Sequence, residues 1–218
     1  MIEFRNLSKT YVTRGQRTLV ADDISIKLPA RKSIALLGHN GAGKSSLLRM
    51  IAGTMAPDSG QVITQGSVSW PVGFAGSFHG DLSGAQNTRF IARIYGVDTD
   101  DLVETVQDFA ELGPHFHLPV KTYSTGMKAR LAFGVSMGIP FDTYLVDEVT
   151  SVGDVAFRTK STRVFQDRMD QCGAIVVSHG LEMIQSICEH AMVLHQGKLH
   201  YFTNVGDAIL KHREFMRA

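Results

Sequence analysis

The stretch Gly38–Ser45 restricts the fold of this 218-residue chain more than any other feature of its sequence. It has the spacing G-x-x-x-x-G-K-S of a phosphate-binding P-loop. Its glycines allow backbone N–H groups to point at phosphate oxygens, while Lys44 supplies a cation and Ser45 a hydroxyl for Mg²⁺. A buried strand over 33–37 and a helix over 44–53 flank the loop, so the helix N-terminus is expected to face the phosphates. We therefore predict that nucleotide is bound by Gly38, His39, Asn40, Gly41, Ala42, Gly43, Lys44, Ser45 and Ser46.

Composition and charge exclude several classes of protein. The net charge is +1 and the isoelectric point about 7.9, so no general basic field is present and nucleic-acid binding is not expected. The sequence contains no apolar run of the roughly 18 residues needed to cross a membrane. Cys172 and Cys188 lack metal-ligand spacing and are predicted to be small buried hydrophobes in a reducing cytosol.

Strands and helices alternate after the loop, which predicts an α/β fold with a mostly parallel sheet. A connection containing Ser8–Tyr11 is predicted between the first two strands, and a helical lobe is predicted over about 84–139. Strands are predicted at 2–7, 18–28, 33–37, 61–65, 67–70, 143–147, 174–178, 191–195 and 198–202. Helices are predicted at 44–53, 85–95, 99–112, from Ser124 onward, and at about 155–170, 180–188 and 205–216.

Three further positions carry the residue types that hydrolysis of a nucleotide requires. Asp147 ends a buried strand, where it can reach Mg²⁺, and Glu148 follows it, where it can orient or deprotonate the attacking water. His179 follows another strand, at the edge where ligands bind in parallel sheets. Ser124 is predicted to cap a helix whose N-terminus, with Gly126, can face an anion. A solvated turn is the alternative for the Asp-Glu pair, and a structural role is the alternative for the histidine.

In this order, the motifs make nearly the whole chain resemble the nucleotide-binding subunits of ABC transporters. The resemblance implies a single ABC-type P-loop NTPase domain over 1–218, with an N-terminal antiparallel β-subdomain and an inserted α-helical subdomain. It implies that Tyr11 stacks on adenine and that Lys44, Glu148 and His179 take part in catalysis. It also identifies Ser151–Asp154 as the D-loop.

The same resemblance implies ATP and Mg²⁺ as cofactors, with Ser45 and Asp147 as metal ligands. It further implies a homodimer in which two subunits pair head to tail. Each ATP then lies between the P-loop of one subunit and the Ser124–Met127 segment of the other, including Gly126.

The segments Tyr123–Phe133 and Val146–Asp154 are similar to the ABC branch that exports bacterial surface polysaccharides. Within it, Ser69–Phe74 and the short chain resemble capsular polysaccharide exporter ATPases. The resemblance implies an ATP hydrolase at the cytoplasmic face of the inner membrane that works with a permease and with periplasmic and outer-membrane components. The polysaccharide is not expected to bind to this chain alone. Export of O-antigen or teichoic acid is the alternative, and a P-loop kinase or GTPase is a more distant one.

One departure from the family pattern concerns the Q-loop. No glutamine lies between 66 and 85, its place falls near Gly73, and Gln65 and Gln86 flank the region. The stretch 70–89 is rich in aromatic and small residues, and Phe78 within it is predicted to help receive the permease.

Overall fold

The computed structural model describes residues 1–13, 15–72, 78–147, 155–178 and 180–217. The described residues form two compact units. One unit comprises those within Met1–Pro71, Phe141–Glu148 and Met169–Ala218, and the other those within Val72–Pro140 and Val149–Arg168. The bounds of 84–139 for a helical lobe stay a prediction.

Strands and helices alternate as the sequence predicts. The strands are β1 (Ile2–Thr13), β2 (Gln16–Leu28), β3 (Ser33–Leu37), β4 (Ser59–Thr64), β5 (Val68–Val72), β6 (Thr143–Asp147), β7 (Gly173–Val177), β8 (His190–His195) and β9 (Lys198–Phe202). The helices are α1 (Lys44–Ile51), α2 (Gly84–Tyr95), α3 (Thr99–Ala110), α4 (Thr125–Gly138), α5 (Val155–Met169), α6 (Leu181–Ile187) and α7 (Val205–Arg217). Two short 3₁₀ helices span Gly113–His117 and Val120–Thr122.

The N-terminal sheet is antiparallel and has the order β2-β1-β4 among the described strands. The predicted connection at Ser8–Tyr11 is wrong, because β1 continues through it to Thr13. Lys9, Thr10 and Tyr11 pair with residues of β2. Register shifts between Phe4 and Thr10 interrupt the alternation of apolar and polar residues, which explains why the sequence pattern ends the strand too early.

The second sheet has the order β5-β6-β7-β3-β8-β9 in the described part of the chain. The pairs β6–β7, β7–β3 and β3–β8 are parallel, and β8–β9 is antiparallel. All five residues of β3 and of β7 are buried, as expected for inner strands of a parallel sheet. The predicted α/β class with a mostly parallel sheet is therefore confirmed.

In the unit that contains Met1–Pro71, the two sheets share one hydrophobic core with α1. The first sheet contributes Phe4 and Leu28, the second Ile34 and Leu36, and α1 contributes Leu47, all 2% exposed or less. Burying such side chains stabilises a fold by about 1.5–3 kcal/mol each. The core fixes α1, and with it the loop that precedes α1, against the end of β3.

The helical unit begins its helices at residues that local capping rules predict. Ser83 and Gln86 form a capping box at α2, and the Asp98 side chain accepts hydrogen bonds from Asp100 and Asp101 at α3. The hydroxyl of Ser124 accepts the backbone N–H of Met127 at 3.2 Å, which confirms its predicted N-cap role. Phe109 stacks on Phe133 in this unit, with ring centroids 5.4 Å apart.

The two cysteines are buried, as predicted. Burial raises the pKa of the Cys188 thiol to about 12, so the thiol stays protonated near neutral pH. Within the described ranges, every helix is too short or too polar to pass through a bilayer.

Two fully buried serines provide a test of the polar contacts. Ser69 in β5 accepts the backbone N–H of Leu145 in β6 at 2.9 Å and donates to the carbonyl of Trp70. We expect Ser69→Ala to lower the free energy of unfolding by about 1–3 kcal/mol, because it leaves the Leu145 N–H without its acceptor. Urea denaturation measures this change.

Ser136 is the matched control, because it is equally buried but its hydroxyl has no hydrogen-bond partner among the described residues. Ser136→Ala should leave the stability unchanged or increase it. Equal destabilisation by the two substitutions would contradict the role given to Ser69.

Candidate functional site

The loop between β3 and α1 lies at the carboxyl end of the parallel sheet, where ligands bind in such folds. Two of its glycines are required by close packing. A Cβ on Gly38 would lie 2.7 Å from the carbonyl oxygen of Leu194, and one on Gly43 would lie 2.4 Å from Cγ1 of Val20. Gly43 also has a φ of 104°, which side chains disfavour.

Gly43 is the residue before α1 and has no side chain that could cap the helix. The first backbone N–H groups of a helix lack partners within the helix, and the helix dipole favours negative charge there. Asn40 and Gly41, just before them, are exposed. The N-terminal end of α1 is therefore suited to bind phosphate oxygens.

Lys44 fixes the curvature of the loop from within. Its Nζ donates to the carbonyl of Gly38 at 2.8 Å and to the carbonyl of His39 at 3.1 Å. Both acceptors belong to the first residues of the same loop. The ammonium group is thus held where it can also contact a bound phosphate.

A cavity of about 400 Å³ opens beside the loop. This volume lies within the range of small-ligand sites, which is roughly 300–1,000 Å³. The residues that line it are Tyr11, Thr18, Val20, Asn40, Gly41, Gly43, Lys44, Ser45, Ser46, Asp147 and Val177.

Asp147 reaches the loop although one strand separates β6 from β3. The hydroxyl of Ser45 donates to Oδ2 of Asp147 at 3.2 Å. A hydroxyl and a carboxylate in this position are the oxygen ligands that Mg²⁺ prefers. The structure therefore brings together the two residues predicted to hold the metal.

Tyr11 lines the same cavity at the far end of β1. Its hydroxyl shares a hydrogen bond with Oγ of Ser46 at 3.1 Å, and the residue as a whole is 36% exposed. Beside it, Nζ of Lys9 donates to Asp58 at 2.7 Å, and this contact lowers the pKa of the Asp58 carboxyl. The ring is anchored but accessible, as a stacking residue must be.

Thr18, Val20 and Val177 line the cavity but are absent from the sequence-based prediction. Thr18 and Val20 are two residues apart in β2, so they share one face, and this alternation is the one signal that could have revealed them. Conversely, the described lining does not include the predicted residues Gly38, His39 and Ala42. They form the loop, and their direct contact with nucleotide stays a prediction.

The remaining predicted residues fall elsewhere. Ser124 and Gly126 belong to the helical unit, where both are exposed at the start of α4. Glu148, His179 and the segment 151–154 lie outside the described residues. Their roles stay predictions.

Gln86, one of the two glutamines that flank the missing Q-loop position, has a structural role. Its side-chain oxygen accepts the backbone N–H of Ser83 at 2.9 Å in the capping box of α2. Gly73, near the expected place of the Q-loop residue, lies outside the described residues.

Comparison with known proteins gives consistent results. The profile described as ABC transporter matches residues 21–151. The polysialic acid transport ATP-binding protein KpsT of Escherichia coli is 44% identical over 218 residues, which cover 99% of this chain and 97% of that protein. The capsule polysaccharide export ATP-binding protein CtrD of Neisseria meningitidis serogroup B is 44% identical over 209 residues, covering 95% and 96%.

Among solved structures, the fold is similar to a dimeric post-hydrolysis state of the ATP-binding cassette MJ0796 bound to ADP and Pi. The TM-score is 0.76 at 17% sequence identity, covering 92% of this chain and 98% of that chain. This similarity confirms the predicted fold class.

Lys44→Ala tests the loop. We expect nucleotide affinity to fall roughly 10- to 100-fold, because a charge-assisted contact worth about 1.5–3 kcal/mol is lost. Isothermal titration calorimetry with ATP measures the change. The control is Lys27→Ala, which removes the same charge from an exposed position in β2. Equal affinities in the two variants would show that Lys44 does not bind the nucleotide.

Proposed function

The chain belongs to the ABC transporter family, and from this membership we propose that it is the ATP-hydrolysing subunit of a bacterial capsular polysaccharide exporter. The observation that carries the choice of substrate is the 44% identity, over almost the entire chain, to proteins named for polysialic acid transport and for capsule polysaccharide export. Those names favour a capsular polysaccharide over O-antigen or teichoic acid.

In this proposal the 400 Å³ cavity holds ATP. Tyr11 stacks on the adenine, while Val20 forms an apolar wall of the cavity and Thr18 lines it on the same face of β2. The start of α1 and Lys44 take the phosphates, since both present donors to the same side of the cavity. Two carbonyl groups of the loop hold the Lys44 ammonium beside the cavity.

Ser45 and Asp147 would hold Mg²⁺, and the 3.2 Å contact between their oxygens supports this assignment. The ion, when bound, neutralises charge on the β- and γ-phosphates. Asp147 is half-buried and pairs with buried Val177 of the neighbouring strand, which fixes its position at the edge of the sheet.

Hydrolysis also requires a group that acts on water. Glu148 follows Asp147 and is proposed to accept a proton from the attacking water as its oxygen bonds to the γ-phosphorus. The bond from that phosphorus to the β–γ bridging oxygen then breaks, which gives ADP and phosphate. His179 is proposed to donate a hydrogen bond to the γ-phosphate, since it directly follows Ser178 beyond β7.

The active form is proposed to be a homodimer with two composite sites. Ser124 already uses its hydroxyl to cap α4, and the exposed N–H groups that follow, including that of Gly126, are available to an anion. In the dimer, this helix end faces the ATP bound by the other subunit. A twofold pairing forms both sites at once.

The subunit is proposed to act at the cytoplasmic face of the inner membrane, bound to a permease. Periplasmic and outer-membrane components would complete the export path. The permease is proposed to dock on the stretch 70–89. Phe78 in this stretch is half-buried, while Phe74 lies outside the described residues.

Glu148→Gln tests the catalytic and dimer assignments together. We expect hydrolysis to fall by about 10²–10⁴-fold, because the amide cannot accept the proton. ATP should still bind, so a dimer should accumulate with Mg-ATP and be visible by size-exclusion chromatography. Adding Ser124→Arg to this variant should prevent dimerisation, because a bulky cation replaces the helix cap. A Glu148→Gln protein that stays monomeric, or that hydrolyses ATP at the normal rate, would contradict the assignments.

Capsule export tests the proposed substrate. In bacteria that lack the gene for this chain, capsular polysaccharide should be absent from the surface and should accumulate inside the cell. The wild-type gene and Lys27→Ala should restore export, whereas Glu148→Gln should not, since export requires hydrolysis. Antibody staining of intact and permeabilised cells distinguishes the two locations. Normal capsule together with loss of another surface glycan would support the alternative substrates.

A further inference from the structure

A second cavity, of about 210 Å³, lies behind the P-loop and against the C-terminal helix α7. Lys44 lines both this cavity and the nucleotide cavity. No other described residue lines both. Among the described residues, the polar ones that line the second cavity are Lys44, Ser178, His212 and Arg213. The volume is below the range of sites for drug-sized ligands but corresponds to several water molecules of about 30 Å³ each.

Aromatic contacts hold α7 in position beside the loop. Phe215 stacks on His195 at the end of β8, with ring centroids 4.1 Å apart and an interplanar angle of 1°. His195 in turn contacts the loop residue His39 edge to face, with centroids 6.4 Å apart. Gly38 also packs closely against the carbonyl group of Leu194 at the end of the same strand. The wall that carries His212 and Arg213 is therefore fixed relative to Lys44.

The charged side chains in the described lining of this cavity are cationic. Lys44 and Arg213 are cationic, and the described lining includes no carboxylate. The nearest acidic side chain in the sequence of α7, Glu214, is paired with Lys211 at 2.8 Å. Arg213 forms no ion pair with another described residue.

The pKa of the His212 ring reflects the same positive charge. Its pKa is lowered by partial burial and then by the positive charges of Lys44, His39 and His195. An anion in the cavity would offset these charges. Ser178 adds a hydroxyl at the end of β7, where it accepts the backbone N–H of Gly180 at 3.0 Å.

We propose that this cavity binds inorganic phosphate and is a second binding site for the phosphate released by hydrolysis. Arg213 and His212 hold the ion from α7, and Lys44 faces it from the loop. Because Lys44 lines both cavities, phosphate can pass from the nucleotide cavity to this one without leaving the lysine. No bond is made or broken in this transfer. The source of the ion depends on the proposed ATP hydrolysis, but the site itself does not.

The test keeps the nucleotide cavity filled while phosphate is added. The full-length protein is saturated with Mg²⁺ and a non-hydrolysable ATP analogue, so the γ-phosphate position is occupied. Inorganic phosphate is then titrated and followed by calorimetry and by the NMR signals of the His212 ring. We expect saturable binding that shifts the His212 signals.

Arg213→Gln should weaken phosphate binding at least about tenfold, because a charge-assisted contact is removed. Arg217→Gln is the matched control: it removes the same charge from the same helix, but Arg217 is exposed and does not line the cavity in the described structure. Both positions are exposed, so neither substitution should affect folding.

Equal phosphate affinity in the two variants would overturn the proposal. Binding that disappears when the ATP analogue is present would do the same, because it would place the ion at the γ-phosphate position. A protein that binds phosphate as described but does not hydrolyse ATP would keep the site and refute the proposed function, so the two failures are distinguishable.

Discussion

The phosphate loop is held in a narrow arc by contacts that leave no space for side chains at Gly38 and Gly43. Gly38 packs on the backbone of β8, and Gly43 packs on Val20 of β2, so both sheets of the unit shape the loop. The shared hydrophobic core fixes the distance between these sheets. The backbone N–H groups at the start of α1 are thereby oriented before any ligand binds, which reduces the entropic cost of binding.

The same arc concentrates positive charge. The start of α1 and the Lys44 ammonium lie close together, and two carbonyl groups of the loop compensate the lysine. On one side of Lys44 lies a large cavity that contains Asp147, and on the other a small cavity beside His212 and Arg213. The carboxylate makes the large cavity suitable for a phosphate accompanied by a metal ion. The small cavity lacks a described carboxylate and therefore suits an anion alone.

Strand order decides which distant residues meet the loop. Ser45 and Asp147 are 102 residues apart in sequence, yet their side chains are hydrogen bonded. β7 lies between β6 and β3, so Val177 forms an apolar floor between the carboxylate and the loop. The parallel sheet thus provides the positions of the residues that meet at the loop.

The sequence by itself determined the phosphate loop and the helix cap at Ser124, because local spacing and local hydrogen bonds define these features, and it identified Asp147 as the end of a buried strand. It ended β1 too early, since bulges broke the alternation and pairing with β2 extended the strand. Only the tertiary structure brought Asp147 to Ser45, and only it revealed Val177 in the large cavity and Arg213 in the small cavity beside Lys44. These positions depend on strand order and on the packing of α7, which are long-range contacts that no local pattern encodes.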